Sequence, residues 1–224
     1  MTIEHETEWS DRGGQCLYLA RWLAKPPDEE LRRIEAEQAL LMCLGGDAQD
    51  GASPADIPPL EELQVEHAAL FAAPGPRFVS ACESVYRDKF TIDFTGCGLA
   101  GPSKGMPVEG LLWGPTTPRV LETYRAQGWD LPDRCAHPPD HIALELEFYG
   151  RLLVRVESDP AAADRAREFF LAHLDAWAPT FFRKVAETPG LVFLQRLGLA
   201  GLRWCDAERG AWAAVPVESS AGRS

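Results

Sequence analysis

The sequence predicts an all-α fold. Three observations carry that expectation: apolar residues recur at helical spacing in one segment after another, Pro, Gly and Asp stand where helices start and stop, and no apolar-polar alternation runs beyond four or five residues. Strands are therefore expected to be absent or trivial. With 224 residues and 46% apolar content the chain can bury one core. The expected body is a single-domain helical bundle over residues 12–205, between a flexible N-terminus at 1–11 and a flexible C-terminal tail at 206–224.

The elements follow in order. Gln15 to Lys25 places Leu19, Trp22 and Leu23 on one face, and Pro26-Pro27 ends that helix while Pro27 can open the next. From Asp28 to Leu44 an acidic start (Asp28, Glu29, Glu30) complements the helix dipole, Leu31, Ile34, Leu41 and Leu44 form the apolar stripe, and Gly45-Gly46 closes it. A small-residue loop over 46–55 leads to Pro58-Pro59, which restart a helix through Leu60, Leu63, His67, Leu70 and Phe71. That helix stops at Pro74-Gly75-Pro76. Residues 74–118 are the least regular part of the chain, and a long irregular stretch inside a domain is often functional. Helical signals return at Pro118 to Gln127, with Gly128 as the closing glycine. A helix from Asp140 to about Glu157 turns Ile142, Leu146, Tyr149, Leu153 and Val156 inward. Asp159-Pro160 starts another that runs to about Trp177, Pro179 opens a further one through Phe182 and Val185, and Gly190 to Trp204 makes the last.

Composition narrows the function. The formal net charge is -12, from 34 Asp and Glu against 22 Lys and Arg, with no basic block. Nucleic acid is not expected as a partner, because phosphate binding needs clustered Lys and Arg. An acidic surface suits a basic peptide better. Met1 to Asp11 is polar and acidic and is followed by no apolar region of the kind a secretory signal needs. Apolar stretches are broken well short of the roughly 18–20 residues of a membrane span. A soluble, cytoplasmic chain is expected. Cysteines at 16, 43, 82, 97, 135 and 205 form no C-x-x-C pair, and are read as free, mostly small buried apolar residues.

Four segments are candidates for chemistry. His137-Pro138-Pro139-Asp140-His141 opens a helix on which His141 and Glu145, four apart, share a face. A metal site, a structural helix start and an exposed recognition surface are all open there. The H-E-x-x-H arrangement is not met, since only one His lies on the regular helix. Leu70-Phe71-Ala72-Ala73-Pro74-Gly75-Pro76 ends a helix in a stiff turn, and leads to Glu83-Ser84-Val85-Tyr86-Arg87-Asp88. Arg32-Arg33 lies inside an amphipathic helix and reads as a solvated face. Finally, no G-x-S-x-G, phosphate loop or Cys with catalytic context is present, so catalysis has no foothold in the sequence.

Read together, these segments resemble the TorD/DmsD family of redox-enzyme maturation chaperones, related to the NarJ-type nitrate reductase assembly proteins. Leu70-Phe71 with Pro74-Gly75-Pro76 resembles the family's L-F-x-x-P-G turn, and Glu83-Ser84-Val85-Tyr86 its P-[YW]-E-S-V-Y segment. Pro139-Asp140-His141-Ile142 through Glu145-Leu146-Glu147-Phe148 resembles its P-D-H-x-x-x-E-L-E-F helix. Downstream, Phe169-Phe170, His173-Leu174, Trp177-Ala178-Pro179 and Phe181-Phe182 resemble a further family segment. Ala81-Cys82 and Tyr149 depart from the pattern, where a proline with an aromatic and a methionine are usual.

The resemblance spans roughly residues 12–205 and implies an all-helical chaperone without turnover. Its partners would be the twin-arginine signal peptide and the catalytic subunit of a molybdoenzyme. It leaves open a homodimer and a transient contact with the molybdenum cofactor or a guanine nucleotide; no resident cofactor and no bound metal are expected. Such a peptide has a basic start and an apolar helical middle, which call for carboxylates and an apolar groove. By this resemblance Asp140, Glu83 and Glu145 would meet the arginines, Leu70, Phe71, Val85 and Tyr86 would line the groove, and His141 would tune release near neutral pH. Pro74, Gly75, Pro76, Ser84 and Pro139 complete the expected surface. Charge reversal by Asp140→Lys is expected to abolish peptide binding and spare the fold. Two alternatives stand beside this: a metal-dependent hydrolase using His137, His141 and Glu145, and a permanent assembly subunit of a reductase.

Overall fold

Helix α6 (Ile142–Arg155) is apolar on nearly every side, and a helix of that kind belongs at the centre of a bundle. Ile142, Leu146, Tyr149 and Leu153 are fully buried there. The computed structural model describes residues 3–38, 57–72, 74–92, 106–110 and 112–215. Before α6 come α1 (Ile3–Ala24), α2 (Glu29–Gln38), α3 (Leu60–His67), the short α4 (Glu83–Arg87) and α5 (Thr116–Ala126). After it come α7 (Ala161–Phe169), α8 (Asp175–Glu187) and α9 (Val192–Ala214). A four-residue antiparallel ribbon, β1 (Lys89–Ile92) and β2 (Met106–Glu109), pairs Phe90 with Val108. The all-α expectation stands, with this ribbon as the trivial strand content. The continuation of the second helix to Leu44, the loop over 46–55, Cys43, Cys97 and the last nine residues lie outside the described residues.

Helix α1 packs along α6, and α8 along α9. The first crossing is set by two glycines. A Cβ on Gly13 would lie 2.8 Å from the carbonyl oxygen of Gly150, and one on Gly150 would lie 2.9 Å from that of Gly13. Backbone touches backbone there, so neither position has room for a side chain. Leu19, Trp22 and Leu23 face inward as their spacing requires, and the Trp22 ring meets Phe193 of α9 at 4.9 Å.

Two expectations are corrected. Pro179 does not open a helix but lies inside α8. A widened π-helical turn, Phe170–Leu174, joins α7 to α8 just ahead of it, and Pro179 has no N–H to return to the carbonyl of residue 175. A second π turn, Ala68–Ala72, continues α3. The helical body also extends past residues 12 and 205. Trp9 and Trp212 meet at a tilt, with ring centroids 5.4 Å apart, and the Arg12 guanidinium lies over both rings at 4.6 and 4.8 Å. Arg12 donates two hydrogen bonds, at 2.9 and 2.7 Å, to the buried Glu208 carboxylate. Tyr149 of the central helix donates to the same group. This clasp ties Trp9 and Arg12 to Glu208 and Trp212, within stretches that composition alone marks as frayed.

Candidate functional site

The segments 81–86 and 139–145 are zipped together by backbone. Ile142 N–H donates to the Ala81 carbonyl at 2.8 Å and Glu83 N–H to the Asp140 carbonyl at 2.9 Å, closing an antiparallel bridge between Cys82 and His141. Cys82 stands at the N-cap of α4 and has no side-chain acceptor to offer. Asp140 supplies one from across the bridge, accepting Ser84 N–H at 2.8 Å, while its other oxygen accepts the Thr117 hydroxyl at 3.0 Å. Tyr124 donates to the Pro139 carbonyl at 3.0 Å. The adjacent Asp88 holds the start of α5, taking Thr116 N–H at 2.9 Å and its hydroxyl at 2.6 Å.

His141 caps α6: its Nδ1 accepts Ala143 N–H at 3.2 Å. Burial, together with the neighbouring His137 and His67, pushes His141 down to about 3, so the ring is neutral and free to accept. His137 stacks on it at 3.9 Å and is engaged with the Ala24 carbonyl. Glu83 accepts from Arg87 and meets Nδ1 of His173 at 2.9 Å. Arg87 also reaches the Ala172 carbonyl at 2.6 Å. Glu145 accepts Trp177 Nε1–H at 3.0 Å. Burial first, and the charge of Glu83 second, hold the Glu145 carboxyl well above the usual carboxylate range, which favours its protonated form.

The structure brings the expected motifs together and corrects their exposure. Glu83, Ser84, Asp140 and Glu145 are 0% exposed, and Leu70, Pro139 and His141 are buried with them. The acidic wall expected at the surface is an interior network. A carboxylate that caps a helix and takes a hydroxyl bond is already satisfied, and water does not reach it. Asp140→Lys would place an ammonium where two donors point, so it cannot be expected to spare the fold. The depressed His141 likewise does not titrate near neutral pH. What remains accessible is Phe71, Val85 and Tyr86, half-buried, and the exposed turn Pro74-Gly75-Pro76. Phe71 lies 6.1 Å from Phe181 and 4.9 Å from His67. Tyr86 lies 5.2 Å from Trp177, with Lys184 Nζ over its ring at 4.7 Å.

The three residues weighed for hydrolysis are each engaged elsewhere, and among the described residues no three His, Cys, Asp or Glu side chains are grouped to hold a metal ion. Cys16, Cys82, Cys135 and Cys205 are free thiols, the first two and the last buried. No helix among the described residues is long and apolar enough to cross a membrane. Thr117 and Tyr124 have no signal in the sequence, because each acts on a segment 15 or more positions away and no local spacing marks it. Arg87 and Asp88 stand in the candidate segment, but their bonds to Ala172 and Thr116 cross long stretches of chain. His173 and Trp177 did stand in the downstream motif, as letters without a role.

Comparison with curated proteins returns no match. A crystal structure of a candidate redox enzyme maturation protein from Archaeoglobus fulgidus is 21% identical, with a TM-score of 0.47, covering 90% of this chain and 93% of that one. The family of the nitrate reductase delta subunit matches residues 28–183, from the start of α2 to within α8, and takes in the Ala81–Tyr86 and Pro139–Glu145 network whole. The chain belongs to the nitrate reductase delta subunit family.

Proposed function

We propose that the protein is a cytoplasmic, system-specific chaperone for a molybdopterin-containing oxidoreductase. It binds the twin-arginine signal peptide and the apo-enzyme, assists cofactor insertion and delays export until the client is mature. The observation that carries this reading is family membership over residues 28–183. In this reading the buried network of Glu83, Asp140 and Glu145 is the scaffold and not the contact surface. Phe71, Pro74, Gly75, Pro76, Val85 and Tyr86 offer the apolar step for the peptide's helical middle. The peptide's arginines meet carboxylates that water can reach. Glu61 and Glu62 are exposed on α3, and Glu66, paired with Arg77 at 2.5 and 3.0 Å, can exchange that partner for a peptide arginine.

Titration calorimetry with the leader peptide of a twin-arginine molybdoenzyme tests this, with the Arg pair replaced by Ala as control. Binding that needs the Arg pair and weakens with salt is expected. Failure to bind any such leader would sink the reading. The family's description as a subunit favours one other reading, a permanent component of a reductase. Recovery of the chain in the mature, assembled enzyme would favour that second reading, and its absence there the chaperone.

A further inference from the structure

Two adjoining cavities lie along α6, about 320 and 240 Å³ in volume, and Phe148 and Leu152 line both. The larger has an apolar floor of Phe148, Leu152 and Val154, a wall formed by Trp129, and a rim of Arg151 and Arg155. The wall is built by the turn after α5. Gly128 takes φ +71, a conformation that favours glycine. Its N–H donates to Arg125 and that of Trp129 to Tyr124, at 2.9 and 3.0 Å. The indole is thereby laid on Phe148 at 5.5 Å and 21°, with Arg151 over it at 5.8 Å.

The charge of this strip runs against that of the chain. In a protein of net charge -12, both charged side chains lining the larger cavity are arginines. Arg155 makes no ion pair among the described residues. Among the described residues Arg151 pairs with Glu147 one turn back, at 2.5 Å on an exposed face, a pairing a ligand can exchange. The smaller cavity adds Arg165 and His173, against one carboxylate, Glu168. Arg165 pairs with Asp159 but leaves its buried Nε without a partner. Val154, 40% exposed, leaves the apolar floor open to water. From Phe148 to Arg155 the strip runs about 10 Å along the helix axis, the length of about three residues of extended peptide.

We propose that this strip is a docking surface for an acidic peptide segment carrying an aliphatic or aromatic anchor. The anchor lies on Phe148, Leu152 and Val154 against Trp129, and its flanking carboxylates pair with Arg151 and Arg155. A basic leader peptide is repelled here, so the strip is a second contact, separate from the surface described above.

The full-length chain is titrated with a blocked peptide of alternating Glu, Asp, Leu and Phe, and with its counterpart carrying Lys at each acidic position. Two double variants accompany it, Arg151→Glu with Arg155→Glu, and Arg151→Lys with Arg155→Lys; all four changes lie on the exposed face of α6, and circular dichroism verifies the fold. The acidic peptide should bind at least about tenfold tighter than the basic one, the Glu variant should lose that binding about tenfold, and the Lys variant should keep most of it. Leader-peptide binding should be unchanged in both variants. Equal affinity for the two peptides, acidic-peptide binding that survives the Glu variant, or loss of leader binding in that variant would each overturn the proposal. So would binding to phosphatidylserine vesicles without binding to the acidic peptide, which would make the partner a membrane surface.

Discussion

The carboxylate of Asp140 caps a helix that does not contain it: it accepts Ser84 N–H at 2.8 Å, across 56 positions of sequence. A helix of five residues cannot sustain itself in water, and the start of α4 has no cap of its own. Asp140→Ala leaves Ser84 N–H and the Thr117 hydroxyl buried without an acceptor. Urea unfolding followed by circular dichroism should show a loss of about 2–4 kcal/mol. A loss below about 0.5 kcal/mol would show that this carboxylate does not hold the segment.

Glu145 makes stability fall toward alkaline pH. Its folded value lies well above the ordinary 4.5, so in the window between the two the folded state holds a proton that the unfolded state has lost. Its contribution is complete below the ordinary carboxylate value and is lost as pH rises toward the folded one. Glu145→Gln keeps an acceptor for Trp177 and removes the titration. Relative to the parent it should gain stability steadily as pH rises from the ordinary carboxylate value toward the raised folded one, by at most about 1.4 kcal/mol per pH unit. A pH-independent difference would mean that Glu145 does not hold its proton in the fold.

His67 and His141 act in the opposite direction. Burial pushes His67 down to about 4 and His141 down to about 3, from an ordinary 6.5. Below 6.5 the unfolded chain takes up protons that the folded rings refuse, so stability falls as pH falls through that window. Asn is a good N-cap, and His141→Asn should retain α6 while making the acid limb shallower by up to about 1.4 kcal/mol per pH unit. Identical acid limbs in parent and variant would contradict a neutral capping ring.

Arg12 and Glu208 join the first helix to the last. Arg12→Ala would leave Glu208 buried with Tyr149 as its remaining donor, and should cost about 3–5 kcal/mol. Limited proteolysis should then cut near residues 206–214, where the parent resists. Unchanged cleavage would show that the aromatic contact of Trp9 and Trp212 holds these helices without the ion pair.

The sequence by itself determined where helices form, because a helix is written in contacts three and four residues apart. The apolar stripe of Leu19, Trp22 and Leu23, the closing Gly128 and the existence of the central helix were all legible in that code, as was the family resemblance, although that helix starts at Ile142 and not at Asp140. Three features were not: the clasp between Trp9 and Trp212, the π turn before Pro179, and the burial of the acidic residues. Trp9 is ordered by Trp212, at the other end of the chain. Asp140, Glu145 and Glu83 meet partners 23, 32 and 90 positions away. A carboxylate reads as surface by default, because burying one costs several kcal/mol unless donors await it. Only tertiary packing brings Thr117, Trp177 and His173 to these groups, and so only packing decided that the acidic motif lies in the interior and not on the surface.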